Sequence, residues 1–188
     1  MADPDRWRAM LWSPATARSQ LAALFALDLE LVRVVETTTE PMIGRIRLAW
    51  WRERLAALDN APPVAHPVLR ALARLWPGQG ADLAALEDGA LAWADGDFAH
   101  AARARGTALF ALAATALGGG DPLDAGPAWA AGAMRRAGLA IAPVPPPARL
   151  AVNLRPLLAL ARLGPRPPQE RADAPLRQLL IARTMLAG

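Results

Sequence analysis

Asp28 and Glu36 are the residues whose placement first suggests chemistry. They fall in a stretch whose apolar residues Leu21, Leu24, Phe25, Leu31, Val32 and Val35 recur at helical spacing, with Asp28 in the middle of that face. Carboxylates four apart on one helix lie about 6 Å apart along its axis and can serve one divalent cation. The residue four before Glu36 is Val32, however, and Asp28 stands a further four back, about 12 Å of rise from Glu36 and too far for a short chelating pair. A carboxylate on an apolar face needs a compensating donor, so Asp28 is expected to pair with an arginine of a neighbouring helix, such as Arg45 or Arg52. Glu36, which ends the helix beside Thr37, Thr38 and Thr39, is expected to be solvated.

Other residues offer weaker chemistry. Asp82, Glu87, Asp88, Asp95 and Asp97 concentrate acid in one segment, whereas not one Asp or Glu occurs between Asp124 and Glu170. Inside that gap Arg135-Arg136 form a guanidinium pair suited to a diphosphate, an acidic partner or solvent, and Arg33 is a further candidate for anion binding. His66 precedes Pro67 and reads as a helix cap. His100 has Asp95 and Asp97 nearby but no nucleophile beside it. Trp50 and Trp51 could wall a cation, yet adjacent helical residues point about 100° apart, which favours packing into two different neighbours. Gly118-Gly119-Gly120 follows a helical stretch and reads as its stop, not as a phosphate loop after a strand.

Composition bounds the partners. All 21 positive charges are arginine, so the pI of 11.2 accompanies a net charge of only +4. The arginines are interleaved with apolar residues, which favours ion pairs over a phosphate track; nucleic acid is not an expected partner. The absence of cysteine excludes disulfides and thiolate metal sites, and two histidines alone do not make a structural zinc site. The segment Met1 to Arg8 holds two acids and no apolar run, unlike a secretory signal. The longest uncharged apolar stretch, Thr107 to Leu117, falls short of the roughly 18 to 20 residues that span a bilayer. The expected location is cytoplasmic, with association to a membrane surface as a further option.

These residues must be positioned by helices. Apolar residues make up 54% of the 188, with alanine and leucine dominant, and propensity favours helix almost throughout. The spacing predicts a helix from Pro14, capped by Ser13, to about Val35, and a second from Pro41 to about Leu58, closed by Asn60-Ala61-Pro62-Pro63. The second helix has Ile43, Ile46 and Trp50 on one side and Leu48, Trp51 and Leu55 on another, and is expected to be buried on both. Shorter helices are expected from Pro67 to Trp76, from an Asp82 cap to Trp93, from Phe98 to Leu117, from Pro127 to Leu139, within 148–163 with a break near Pro156, and over 175–187 with Asp173 as cap. One all-α domain over 1–188 follows: a main bundle at 14–139, a Pro-rich linker at 140–147 and short C-terminal helices at 148–188.

Taken in order, Ser13 to Arg18, Leu21 to Leu31, Glu40-Pro41-Met42-Ile43-Gly44-Arg45-Ile46-Arg47-Leu48-Ala49-Trp50-Trp51-Arg52 and His66 to Leu72 resemble the squalene/phytoene synthase family, and within it the branch of complex I assembly factor 6-like proteins. Arg105 to Ala113 is similar to that family's central helix. The resemblance implies an all-helical bundle of the isoprenoid synthase type, here contracted at its C-terminal side. In catalytic members two aspartate-rich helices hold magnesium ions that stabilise departing diphosphates. Val32 and Glu36 occupy the places that resemble the ends of the first motif, with Asp28 as a further remnant. The second motif falls near Ala131 to Arg136, where this chain is cationic. The expectation is a protein that has lost prenyl transfer, with no confident catalytic residue, no metal site and no cofactor. It would act on a protein partner of unknown identity as a binding or assembly factor, for a membrane respiratory complex. The alternative is a magnesium-dependent prenyl transferase using Asp28, Glu36 and acids of 82–97. A third reading is a module that contacts a membrane surface or an isoprenoid lipid through apolar helix faces and arginine flanks.

Overall fold

A computed structural model describes residues 4–61, 65–166 and 175–187, and among them all regular structure is helical. The expected all-α fold class holds. The first helix, α1 (Pro4–Leu11), stands where no helix was expected. Its Asp5, Arg6, Ala9 and Met10 face inward. Ser13 closes α1 by donating Oγ–H to the Ala9 carbonyl at 2.9 Å, so it does not cap the next helix as its position suggested.

The long helix α2 (Ala15–Thr37) buries Leu21, Leu24, Leu27, Asp28, Leu31 and Val34. Pro41 ends its direction and occupies the first turn of α3 (Pro41–Ala56), where a missing N–H costs nothing. Here periodicity misled. Leu48, Trp51 and Leu55 are buried as expected, but Ile43 and Ile46 are 51% and 62% exposed and Trp50 lies at the surface, because no described helix covers that side. Next come α4 (Pro67–Leu75), α5 (Gly80–Ala84) and α6 (Leu86–Ala94). Asp82 lies inside the first turn of α5 and caps nothing, while the expected single helix from there to Trp93 is divided at Ala85. Gln20 and Trp76 clamp α4 to α2 by exchanging hydrogen bonds with each other's backbone neighbourhood: Gln20 Nε2 donates to the Leu75 carbonyl at 2.9 Å and Trp76 Nε1 to the Gln20 carbonyl at 3.2 Å.

The helix α7 (Phe98–Ala116) is capped by Asp97, which accepts from the His100 amide, and stops at Gly118, Gly119 and Gly120, all at positive φ. Asn153 satisfies the open end by donating to the Leu117 and Gly119 carbonyls. After α8 (Ala125–Arg136) the proline-rich segment runs without helix, its Ile141 and Val144 resting on the core. Pro156 does not interrupt a helix; it sits in the first turn of α9 (Arg155–Leu163). The last element is α10 (Pro175–Ala187). The caps or closures expected at Pro62-Pro63 and Asp173 lie outside the described residues.

Three close approaches hold α6 to α9 together, and each depends on glycine. A Cβ on Gly106 of α7 would run into the backbone of Gly126 and Pro127 at the start of α8, and one on Gly132 of α8 into Gly164 after α9. A Cβ on Gly89 of α6 would lie 2.6 Å from the Arg105 backbone nitrogen. Small residues therefore let α6, α7 and α8 meet backbone to backbone, and Arg105 in the middle of α7 reaches α2.

Candidate functional site

Asp28 lies at that meeting point, 2% exposed. Arg105 of α7 donates Nε–H to Oδ1 and Nη2–H to Oδ2, both at 2.7 Å, and Arg6 of α1 donates to Oδ2 at 2.6 Å. The fork of Arg105 matches the carboxylate edge, which makes this pair directional as well as ionic. Both guanidinium groups stack on one indole: the Arg6 and Arg105 carbons each lie 4.9 Å from the centre of the Trp129 ring. Phe110 packs against the same ring, stacked at 5.6 Å. Burial pushes the Asp28 carboxyl up, but the charges and hydrogen bonds of Arg105 and Arg6 outweigh it and hold the carboxyl down at about 2. The donors to Asp28 are thus Arg6 and Arg105, not Arg45 or Arg52. Those two pair elsewhere, Arg45 with Asp95 at 2.7 Å and Arg52 with the buried Glu87 at 3.1 Å.

The remaining sequence candidates do not converge on Asp28. Val32 is half-buried, while Arg33 and Glu36 are exposed. Arg135 points to solvent from the end of α8; Arg136 is half-buried and donates to the Leu163 and Gly164 carbonyls at the end of α9, serving as that helix's cap. The acids of 82–97 are spread over separate tasks. Besides Glu87 and Asp95, Asp97 caps α7, and Asp88 meets His100 Nε2 at 3.4 Å. His66 holds the cap position of α4 without a side-chain cap bond and packs edge-on to Trp51 at 4.9 Å.

A groove of about 590 Å³ does open between α2 and α3. Glu30, Arg33 and Thr37 line one wall, Ile46, Trp50 and Trp51 the other, with His66 among the lining residues. At 100° per residue, the α2 residues of this wall lie on the side of the helix opposite Asp28. The groove and the buried carboxylate are therefore separate features. Sequence reasoning missed the groove because it had assigned Ile46 and Trp50 to the interior.

Residues 2–92 match the squalene/phytoene synthase family, a family with an all-α isoprenoid synthase fold, so this chain carries a squalene/phytoene synthase-like region over just under half its length. The match takes in α1 and most of α6 but ends before Arg105–Ala113. No curated protein and no solved structure matches the chain. Magnesium held by clustered carboxylates is what catalytic chemistry of that family implies, and the residues present do not fit it. Both oxygens of Asp28 are occupied by guanidinium donors, and Glu36 is exposed about 12 Å further along the helix. Among the described residues no group of three or more His, Cys, Asp or Glu is placed to hold a metal ion.

Proposed function

We propose that this chain is a squalene/phytoene synthase-like helical bundle that has lost prenyl transfer and works as a binding or assembly factor for another protein. The observation that carries the reading is the state of Asp28. Ionising a prenyl diphosphate calls for carboxylates that present free oxygens to magnesium beside an open cavity. Here the buried Asp28 at the centre of α2 is neutralised by two arginines, whose guanidinium groups lie against the ring of Trp129. The cationic pair at Arg135 and Arg136, where the resemblance would put the second carboxylate cluster, points the same way. The assembly role, with a membrane respiratory complex as its object, rests on the likeness of residues 13–72 to complex I assembly factor 6-like proteins.

Product analysis by mass spectrometry tests the loss of prenyl transfer. Purified protein with farnesyl or geranylgeranyl diphosphate and excess magnesium should yield neither squalene nor phytoene. Metal-dependent product that disappears in Glu36→Ala would establish the transferase instead. The assembly half is tested by crosslinking in the native host, where one protein partner in stoichiometric yield is the expected result.

A further inference from the structure

The groove between α2 and α3 has a chemistry that the proposed binding role leaves unused. Three aromatic rings line it, Trp50 and Trp51 from α3 and His66 from the cap position of α4. Trp51 meets Trp50 edge to face, with ring centres 5.3 Å apart and planes at 81°, and meets His66 at 4.9 Å, again at 81°. Trp50 and His66 stand 6.5 Å apart at 67°. Rings set near right angles to one another make a corner instead of a stack, and such a corner suits a round, apolar cation such as a quaternary ammonium.

The charged side chains of the lining are of both signs, and among the described residues they do not cancel one another. Glu30 is half-buried and Arg33 exposed, three residues apart on α2, yet neither side chain makes an ion pair or a hydrogen bond. From α3, Arg47 donates Nη1–H to the neutral Thr38 hydroxyl at 2.7 Å and meets no carboxylate. A half-buried carboxylate without a donor carries a desolvation cost that a bound cation would remove. Two guanidinium groups whose charge is unmatched call for an anion, and their forks fit phosphate oxygens.

We infer that the groove binds a small molecule that joins an alkylated ammonium to a phosphate monoester, the ammonium against the rings and Glu30 and the phosphate with Arg33 and Arg47. Charge balance selects the monoester. Two arginines against one glutamate leave the lining with about one positive charge, and a phosphate monoester carries nearly two negative charges at neutral pH, so with its ammonium it returns about one negative charge. A phosphodiester headgroup in a bilayer balances its own ammonium and leaves the second arginine unmatched. The volume of about 590 Å³ falls within the range of small-molecule sites. Because the α2 wall lies opposite Asp28, the inference depends neither on the loss of prenyl transfer nor on a protein partner.

Isothermal titration calorimetry of the full chain with phosphocholine tests it. Saturable binding at one site per chain is expected, with choline alone and inorganic phosphate alone each about tenfold weaker or more, since each fills half of the groove. Trp50→Leu, and separately Arg33→Gln combined with Arg47→Gln, should each weaken phosphocholine by about tenfold or more at unchanged helix content. Arg135→Gln, at an exposed site on α8, should bind as the wild type does. Flotation with phosphatidylcholine vesicles separates the free ester from the lipid headgroup and should show no attachment. Four results overturn the inference: no saturable binding of phosphocholine, inorganic phosphate bound as tightly as phosphocholine, wild-type affinity in either groove variant, or attachment to the vesicles.

Discussion

Arg105 reaches Asp28 across 77 residues of sequence and meets it with two hydrogen bonds of 2.7 Å, one to each carboxylate oxygen. Arg6 completes the group from α1, so one side chain of α2 joins the first helix to the central one. Removing the carboxylate leaves two buried guanidinium groups facing each other over Trp129. Asp28→Asn should therefore cost about 3 to 5 kcal/mol, more than a single-donor pairing implies. Chemical denaturation checks this, and a variant that unfolds at the wild-type midpoint would show that the triad contributes nothing.

The same carboxyl makes the fold acid-sensitive in a defined window. Its folded value of about 2 lies below the unfolded value near 4. The unfolded chain therefore binds the proton first as pH falls, so the stabilisation is complete above about pH 4 and is lost toward pH 2. Denaturation midpoints measured across that interval should decline in the wild type, and the decline should be shallower in Asp28→Asn.

Replacing Arg105 by lysine keeps the charge but removes the fork. One ammonium does not make both bonds and stack flat on Trp129, so Arg105→Lys should lose about 1 to 3 kcal/mol. Thermal melts distinguish this from a purely ionic pairing, in which lysine would suffice.

Glycine positions give a separate test of the packing. Gly106→Ala forces α7 away from the backbone of Gly126 and Pro127, at a cost of about 1 to 3 kcal/mol despite the better helix propensity of alanine. A gain in stability would mean that the two helices do not meet there.

Restoring the missing acid probes the metal question directly. Val32→Asp recreates a four-residue carboxylate spacing with Glu36 on α2, yet supplies no second cluster and leaves Arg135 and Arg136 in place. Magnesium should leave its melting temperature unchanged, since only an ion that binds the folded form stabilises it. A magnesium-dependent rise would show that one substitution reopens a metal site.

The sequence was most legible where a residue acts through its own backbone. Pro41 and Pro67 opened helices, and the triple glycine after Leu117 stopped one. The periodicity along α2 identified Leu21, Leu24, Phe25 and Leu31 on its packed face, though Leu27 and Val34 are buried there while Val32 and Val35 are half-buried. It was least legible where the answer lay in another segment. The apolar face around Asp28 implied a cation, but Arg6 and Arg105, 22 and 77 residues away, are brought there only by tertiary packing. Gly89 and Gly106, flanking the approach of α7, were the available signal and went unread. The outward face of α3 failed for a related reason: periodicity tells which residues share a side, not whether a neighbour covers it. The helix at Pro4–Leu11 was missed because its buried side is built from Asp5 and Arg6, which look solvated in sequence.

The ion pair between Asp5 and Arg177 spans 172 residues. On the ribosome, where about 5 to 20 residues are added each second, α1 therefore waits on the order of ten seconds or more for the segment that completes its contacts. During that interval Asp5 lacks this partner and the apolar side of α1 lacks the shelter of α9. A helix made before the rest of the bundle is thus secured only after nearly all of it, and the nascent chain has a period of exposure in which a chaperone would find its substrate.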